Sequence, residues 1–267
     1  MSTSTSAHQV SIIATAISNF IFTSSRRFLI YINTAITNNE FLGLSLQAMD
    51  TSHVALVSLN LSMEGFEKYR CDQNLVLGIN IANLSKVLKL SDPADSIELQ
   101  CDQDPSTLKL IFENPKTQRS TEFSLNLISL DVEHLSIPET EYSSLITIPS
   151  GEFSKICKEL QALSESITIK TNPDWVQLQV EGQAGKGFVK LTSSDGDGRK
   201  EDATMIEVEE AVEQQFALNY LNLFNKAAGL STFTRLCLHN DQPLVTEFKI
   251  ESLGVLKYYL APKISEE

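Results

Sequence analysis

The chain has 267 residues, 42% of them apolar, and a formal net charge of −13. That length supports one large or two medium domains with real cores, and the composition is that of a globular chain. So acidic a balance excludes a chain coated in nucleic acid, yet leaves room for a small basic surface on an acidic body.

Residues 1–39 contain no Asp or Glu, are rich in Ser and Thr, and include Arg26 and Arg27. That composition fits a weak transit peptide or an ordinary first strand and helix, and both readings stand. The apolar run 10–22 is short and lacks a basic segment before it, so no secretory signal is expected. No run reaches membrane-spanning length, and no membrane partner is expected.

Period-two alternation then predicts strands over 54–61, 96–99, 107–112 and 122–127, and again over 166–169, 175–180 and 246–250. Between them GINIANLSKVLKL (78–90) and FALNYLNLFNKAAGL (216–230) each begin as a strand, become an amphipathic helix, and lead through a polar turn into two strands. Identity between the two is low but the order of elements matches, as in a domain duplication. Three helices follow from the spacing. In 82–90, Leu84, Val87 and Leu88 face inward and Lys86 and Lys89 outward. From Pro149, Ser150 is placed to cap a helix with Phe153, Ile156, Cys157, Leu160 and Leu163 on one face and Lys155 and Lys158 on the other. In 217–228, Leu218, Leu221 and Phe224 pack while Asn219, Asn222 and Lys226 line the far side. Cations and amides on the helical faces of an acidic chain read either as solvated surface or as a phosphate-facing surface; with no aromatic residue among them, base readout is not expected.

LISLDVEHLSIPETEY (127–142) joins the halves. Pro138 rules out a central strand, and Leu130, Val132, Leu135 and Ile137 give an extended ribbon an apolar side. The acidic stretch 193–213 reads as a solvated loop and strand edge. Cys71, Cys101, Cys157 and Cys237 form no C-x-x-C pair and have no His at metal spacing, so buried free thiols are expected and no metal or cofactor. His53 has no Ser or Asp arranged as a triad and reads as structural or pocket-lining. No nucleophile motif or phosphate loop is present, which argues against an enzyme.

The stretches LQAMDTSHVALV (46–57), EGFEKYRCDQNL (64–75), SLDVEHLSIPETEY (129–142), IPSGEFSKICKEL (148–160), FALNYLNLFNKA (216–227) and LKYYLAPKI (256–264) resemble the eukaryotic DNA sliding clamps, from about residue 43 to the end. The resemblance implies an α+β DNA clamp fold. Domains 1–126 and 144–267 would be joined by a connector at 127–143, with β-sheets outside and pore-lining helices inside. Three identical chains would form a ring, a homotrimer that encircles double-stranded DNA without sequence specificity. Lys86, Lys89, Lys155, Lys158, Asn219 and Lys226 would face the DNA, and strands 121–127 and 186–193 would meet between subunits. The connector would border a pocket of Met49, His53, Val54, Leu56, Leu135, Ile137, Pro243, Tyr259 and Pro262, with Ala261 and Lys263 meeting the peptide backbone. Its ligand would be the PIP-box peptide, Q-x-x-(aliphatic)-x-x-(aromatic)-(aromatic), of DNA polymerase delta, the clamp loader, flap endonuclease and DNA ligase, in the nucleus.

Three departures from that family accompany the resemblance. Residues 1–42 do not match, and a strand at 11–15 with a helix at 18–30 would have to replace the family's first two elements. Pro173 stands where the family commonly carries a modified lysine, with Lys170 nearby. Asn219 stands where the family often has Arg, which implies a weaker hold on DNA. A clamp-fold adaptor that does not trimerise, or a subunit of a heterotrimeric checkpoint clamp, are the alternative readings.

Overall fold

The computed structural model describes residues 2–6, 27–33, 43–102, 105–129, 140–193 and 203–263. The chain divides into two compact units. The first comprises Met1–His53, Val57–Ser136 and Ile250–Leu256, and the second Val54–Leu56, Ile137–Lys249 and Lys257–Glu267.

The first unit is built on strands β1 (Ser2–Ser6), β2 (Arg27–Asn33), β3 (Gly43–Met49), β4 (Ala55–Ser62), β5 (Lys68–Arg70), β6 (Leu75–Asn80), β7 (Ser96–Gln100), β8 (Thr107–Asn114) and β9 (Arg119–Asn126). One helix, α1 (Ile81–Leu88), follows β6 directly. Five of the strands form an antiparallel sheet in the order β5-β1-β7-β8-β9, and β4, β3, β2 and β6 lie side by side in another. Alternation dictates which face is buried: Leu108, Leu110 and Phe112 of β8 are nearly inaccessible, while Lys109 and Glu113 are exposed and Ile111 is half-buried. The β8–β9 hairpin is shaped by Asn114, whose Oδ1 accepts from the backbone N–H groups of Lys116 and Thr117, both at 3.1 Å.

The second unit contains β10 (Ser144–Pro149), α2 (Ser150–Gln161), β11 (Ser166–Asn172), β12 (Trp175–Gly182), β13 (Gly185–Thr192), β14 (Met205–Val208), β15 (Glu213–Ala217), α3 (Leu218–Phe224), β16 (Phe233–Leu238), β17 (Leu244–Ile250) and β18 (Gly254–Leu260). A 3-10 segment, Asn225–Leu230, continues α3. One sheet runs β13-β12-β11-β15, and β14, β10, β16, β17 and β18 are neighbours in another. The strand–helix–strand–strand succession read from sequence is present as β6-α1-β7-β8 in the first unit and β15-α3-β16-β17 in the second. It also occurs as β10-α2-β11-β12.

The core of the second unit is aromatic at its centre. Phe224 stacks on Tyr258 with centroids 4.4 Å apart and planes 6° from parallel, and Phe248 meets the same tyrosine edge-on. Burial pushes the Tyr258 hydroxyl far above the usual phenol range. Two buried hydroxyls anchor the loop from β14 to β15. Ser144 Oγ and Thr171 Oγ1 are 2.9 Å apart, Ser144 Oγ donates to the Glu210 carbonyl, and Thr171 Oγ1 accepts from Val212 N–H.

Several expectations are corrected. The segment 27–33, expected partly as helix, is a strand paired with β3 and β6, with Leu29 opposite Gln47 on one side and Gly78 on the other. Its run of Phe28, Leu29, Ile30, Tyr31 and Ile32 has the aromatic and β-branched character that suits a strand. A polar strand at Ser2–Ser6, not expected, lies between β5 and β7. Cys157 and Cys237 are buried free thiols, but Cys71 and Cys101, also free, are only half-buried because they follow the ends of β5 and β7. The expected strand at 11–15, the apolar stretch of the connector around 130–139 and the acidic residues at 195–202 lie outside the described residues.

Candidate functional site

The cation-bearing helices are set by local chemistry. Asn80 caps α1, its Oδ1 accepting from Asn83 N–H at 3.2 Å. Ile81, Ser85 and Leu88 are buried, so the inward face is rotated from the expected one, and Leu84 and Val87 are only half-buried. Lys86 and Lys89 are exposed as expected.

Helix α2 starts differently from expectation. Ser150 is its first residue rather than its cap: the hydroxyl, fully inside, accepts from Thr234 Oγ1 at 2.9 Å and the N–H donates to the Thr232 carbonyl at 2.9 Å. Strand β16 therefore fixes where the helix begins. Phe153, Ile156, Cys157 and Leu160 are buried, whereas Leu163, past the last turn, is 43% exposed. Lys155 and Lys158 point outward from the buried face and are exposed. Burial lifts the Cys157 thiol to about 12, which leaves it protonated and inert at neutral pH.

Helix α3 packs on α2 through Leu218, Leu221 and Phe224, all inaccessible. Asn219 and Lys226 are exposed, but Asn222, expected on the far side with them, is half-buried and bonded across the helix pair. Its Nδ2 donates to Gln161 Oε1 at 2.9 Å and to the Cys157 and Leu218 carbonyls at 3.3 Å. Sequence spacing alone could not reveal this, because the two partners on α2 are more than sixty positions away. The outcome is a set of cations on short helices in each unit: Lys86 and Lys89 in the first, Lys155, Lys158 and Lys226 in the second.

The residues expected around a peptide pocket are distributed over both units. In the first, Met49 Sδ lies 3.1 Å from the Nδ1 of exposed His53, which adopts a left-handed φ of 57° and donates its N–H to the Asp50 carbonyl. In the second, Leu56 is buried, Val54, Tyr259, Ala261 and Pro262 are half-buried, and Pro243 and Lys263 are exposed. Tyr259 is pushed up to about 12, chiefly by burial, with Tyr142 and Glu247 adding to the effect. Ala261 N–H donates to the Val54 carbonyl at 2.9 Å and Lys263 N–H to the Gln215 carbonyl at 2.7 Å. Both backbone donors are thus engaged inside the unit, so only the carbonyl oxygens there remain to meet a peptide. Leu135 and Ile137 lie outside the described residues.

The strands expected to meet between subunits are both terminal in their sheets among the described residues, β9 in the first unit and β13 in the second. Phe188 on β13 is 60% exposed. Near the turn that carries Pro173, Lys170 is held by Glu213, Nζ to Oε1 at 2.6 Å.

Comparison with known proteins decides the family. The family model described as proliferating cell nuclear antigen, N-terminal domain, matches residues 26–134, and the one for its C-terminal domain matches residues 136–263. The chain belongs to the proliferating cell nuclear antigen family. A curated relative, proliferating cell nuclear antigen of Chaetomium thermophilum, is 44% identical over 225 residues, covering 84% of this chain and 87% of the relative. Membership makes the chain a DNA sliding clamp and processivity factor of DNA replication and repair, a non-enzymatic scaffold with two proliferating cell nuclear antigen domains. It binds DNA and clamp partners in the general manner of the family. The N-terminal match starts at residue 26, so 26–42, set apart by the sequence reading, falls within it.

Proposed function

We propose that three copies of this chain close into a homotrimeric ring around duplex DNA in the nucleus, and that the ring tethers DNA polymerase delta, the clamp loader, flap endonuclease and DNA ligase through their PIP-box peptides. The observation that carries the reading is the pairing of two features. Among the described residues each unit ends a sheet on a strand with an open edge, and each turns the lysines of its short helical segments away from its core. An open edge is a template for another strand, and β9 of one copy and β13 of the next would satisfy each other.

Lys86, Lys89, Lys155, Lys158 and Lys226, with Asn219, would face the duplex. Contacts of this type are counterion-mediated and carry no base information, so they permit sliding. With encirclement supplying retention, no single contact has to be strong. The pocket residues Met49, His53, Val54, Leu56, Leu135, Ile137, Pro243, Tyr259 and Pro262 would take the aliphatic and aromatic anchors, and Ala261 and Lys263 would accept from the peptide backbone. Tethering raises the local concentration of each partner at the DNA.

Sedimentation equilibrium of the purified chain at micromolar concentration tests the assembly. A species of three times the chain mass is expected. A monomer that still binds the peptide would replace this reading with that of a clamp-fold adaptor.

A further inference from the structure

We propose that the outward face of the sheet β13-β12-β11-β15 is a platform for single-stranded nucleic acid, on which bases stack against Trp175 and Phe188 and phosphates meet Lys190. It goes beyond the clamp reading above and does not depend on ring closure. Alternation gives this sheet two faces. On one, Ile167 and Ile169 of β11 and Val176, Leu178 and Val180 of β12 are almost inaccessible. The helices lie on that side, α2 against β13 and α3 against β11. The register then fixes what the other face presents. Gln177 lies between Lys170 and Lys190, Gln179 between Thr168 and Phe188, and Trp175 between Asn172 and Thr192.

Two aromatic rings thus stand on an otherwise polar face. Phe188 is 60% exposed, and the Trp175 ring is reachable from the solvent side, because the exposed Lys190 places its Nζ 4.5 Å from the ring centroid. Phe188 is level with Gln179, four residues along β12 from Trp175, so the rings are roughly 13 Å apart along the strands, the reach of about two nucleotides of an extended single strand. Lys190 lies between them. The face also carries Lys170, bonded to Glu213, and Lys186, bonded to Glu181. Three lysines against two glutamates leave it positive on a chain of net charge −13. Rings spaced for bases, with cations and amides between them, suit unpaired nucleotides better than a protein partner, which would ask for a continuous apolar patch. Four-stranded sheets stack two or three bases on exposed aromatics by the same physics. Pairing of the β13 edge with another copy leaves this face open, since ladder hydrogen bonds run in the plane of the sheet.

Trp175 is the only tryptophan of the chain, so its emission reports on this face alone. The full-length protein is titrated at fixed ionic strength with an eight-base oligothymidylate, a ten-base-pair duplex or a polyglutamate peptide. The oligothymidylate is expected to quench the emission saturably. The duplex, whose bases are already stacked, and the peptide, which has none, should leave it unchanged. Phe188→Ala and Gln177→Glu, the second setting a carboxylate between Lys170 and Lys190, should each weaken binding at least about fivefold. Phe188→Tyr, which keeps a ring, should bind as the parent does. No quenching by the oligothymidylate up to millimolar concentration would overturn the platform, as would equal quenching by the duplex or the peptide. So would Phe188→Ala or Gln177→Glu binding as tightly as the parent, or Phe188→Tyr binding as poorly as Phe188→Ala. Failure of the clamp reading is separate and would show as equal retention of the unmodified protein on closed and open DNA, with this quenching intact.

Discussion

Asn222 on α3 donates its side-chain amide to Gln161 Oε1 on α2 across 2.9 Å, and this bond ties α2, which carries Lys155 and Lys158, to the helix whose 3-10 continuation carries Lys226. The same amide reaches two backbone carbonyls at 3.3 Å, so the position rewards a donor. Replacing it with Ala should cost about 1–3 kcal/mol in urea unfolding, seen as a lower midpoint with an unchanged slope. Asn222→Asp should cost more, because a carboxylate would face the Cys157 and Leu218 oxygens. An Asp variant as stable as the parent would show that the bond contributes nothing.

Two glycines give opposite expectations. A Cβ at Gly78 would lie 1.9 Å from the Ile128 carbonyl oxygen, against a backbone that the Ile128 N–H to Gly78 carbonyl bond holds at 2.9 Å. Gly78→Ala should therefore destabilise by about 3 kcal/mol. Gly151 lies in α2 with open space around it, so Gly151→Ala should be neutral or stabilise by up to about 1 kcal/mol through helix propensity. Thermal unfolding of the pair checks the contrast.

Thiol labelling reads burial directly. Burial raises Cys157 to about 12 and Cys237 to about 11, and each is enclosed, whereas Cys71 and Cys101 are reachable. A disulfide reagent at pH 8 should modify Cys71 and Cys101 in the native protein and all four in denaturant. Rapid native labelling of Cys157 would contradict the packing of α2 on α3.

The strands were legible because burial on one face forces alternation. The sequence 175–180 predicts a strand that the structure extends only to Gly182, and Val176, Leu178 and Val180 are its buried face. Helix termini were less legible. Ser150 has the chemistry of a cap, but Thr234, distant in sequence, engages its hydroxyl and draws it into the helix. Leu163 fits the apolar period of α2, yet the chain turns before it, and the Leu163 carbonyl sits where a Cβ of Gly182 would be, 2.1 Å away. For the site, the outward lysines could be read from spacing. The Asn222 bridge and the engaged N–H groups of Ala261 and Lys263 could not, since each depends on partners brought together only by folding.

Peptide recognition at the proposed pocket should depend on the half-buried Tyr259 ring. Calorimetry with a PIP-box peptide should show at least a tenfold loss of affinity, about 1.4 kcal/mol, for Tyr259→Ala, with the sedimentation of the protein unchanged. Because the nearby backbone offers acceptors rather than donors, N-methylation of the peptide amide that meets Ala261 should also weaken binding. Equal affinity for all three pairs would place the peptide elsewhere.

Retention on DNA tests the central claim most directly. The protein is loaded onto a nicked circular plasmid by a clamp loader, the loader is washed away in high salt, and half the sample is then linearised. The account predicts that the protein stays on the circle and runs off the linear molecule, because enclosure rather than adhesion holds it. Equal loss from both, or equal retention on both, would contradict it.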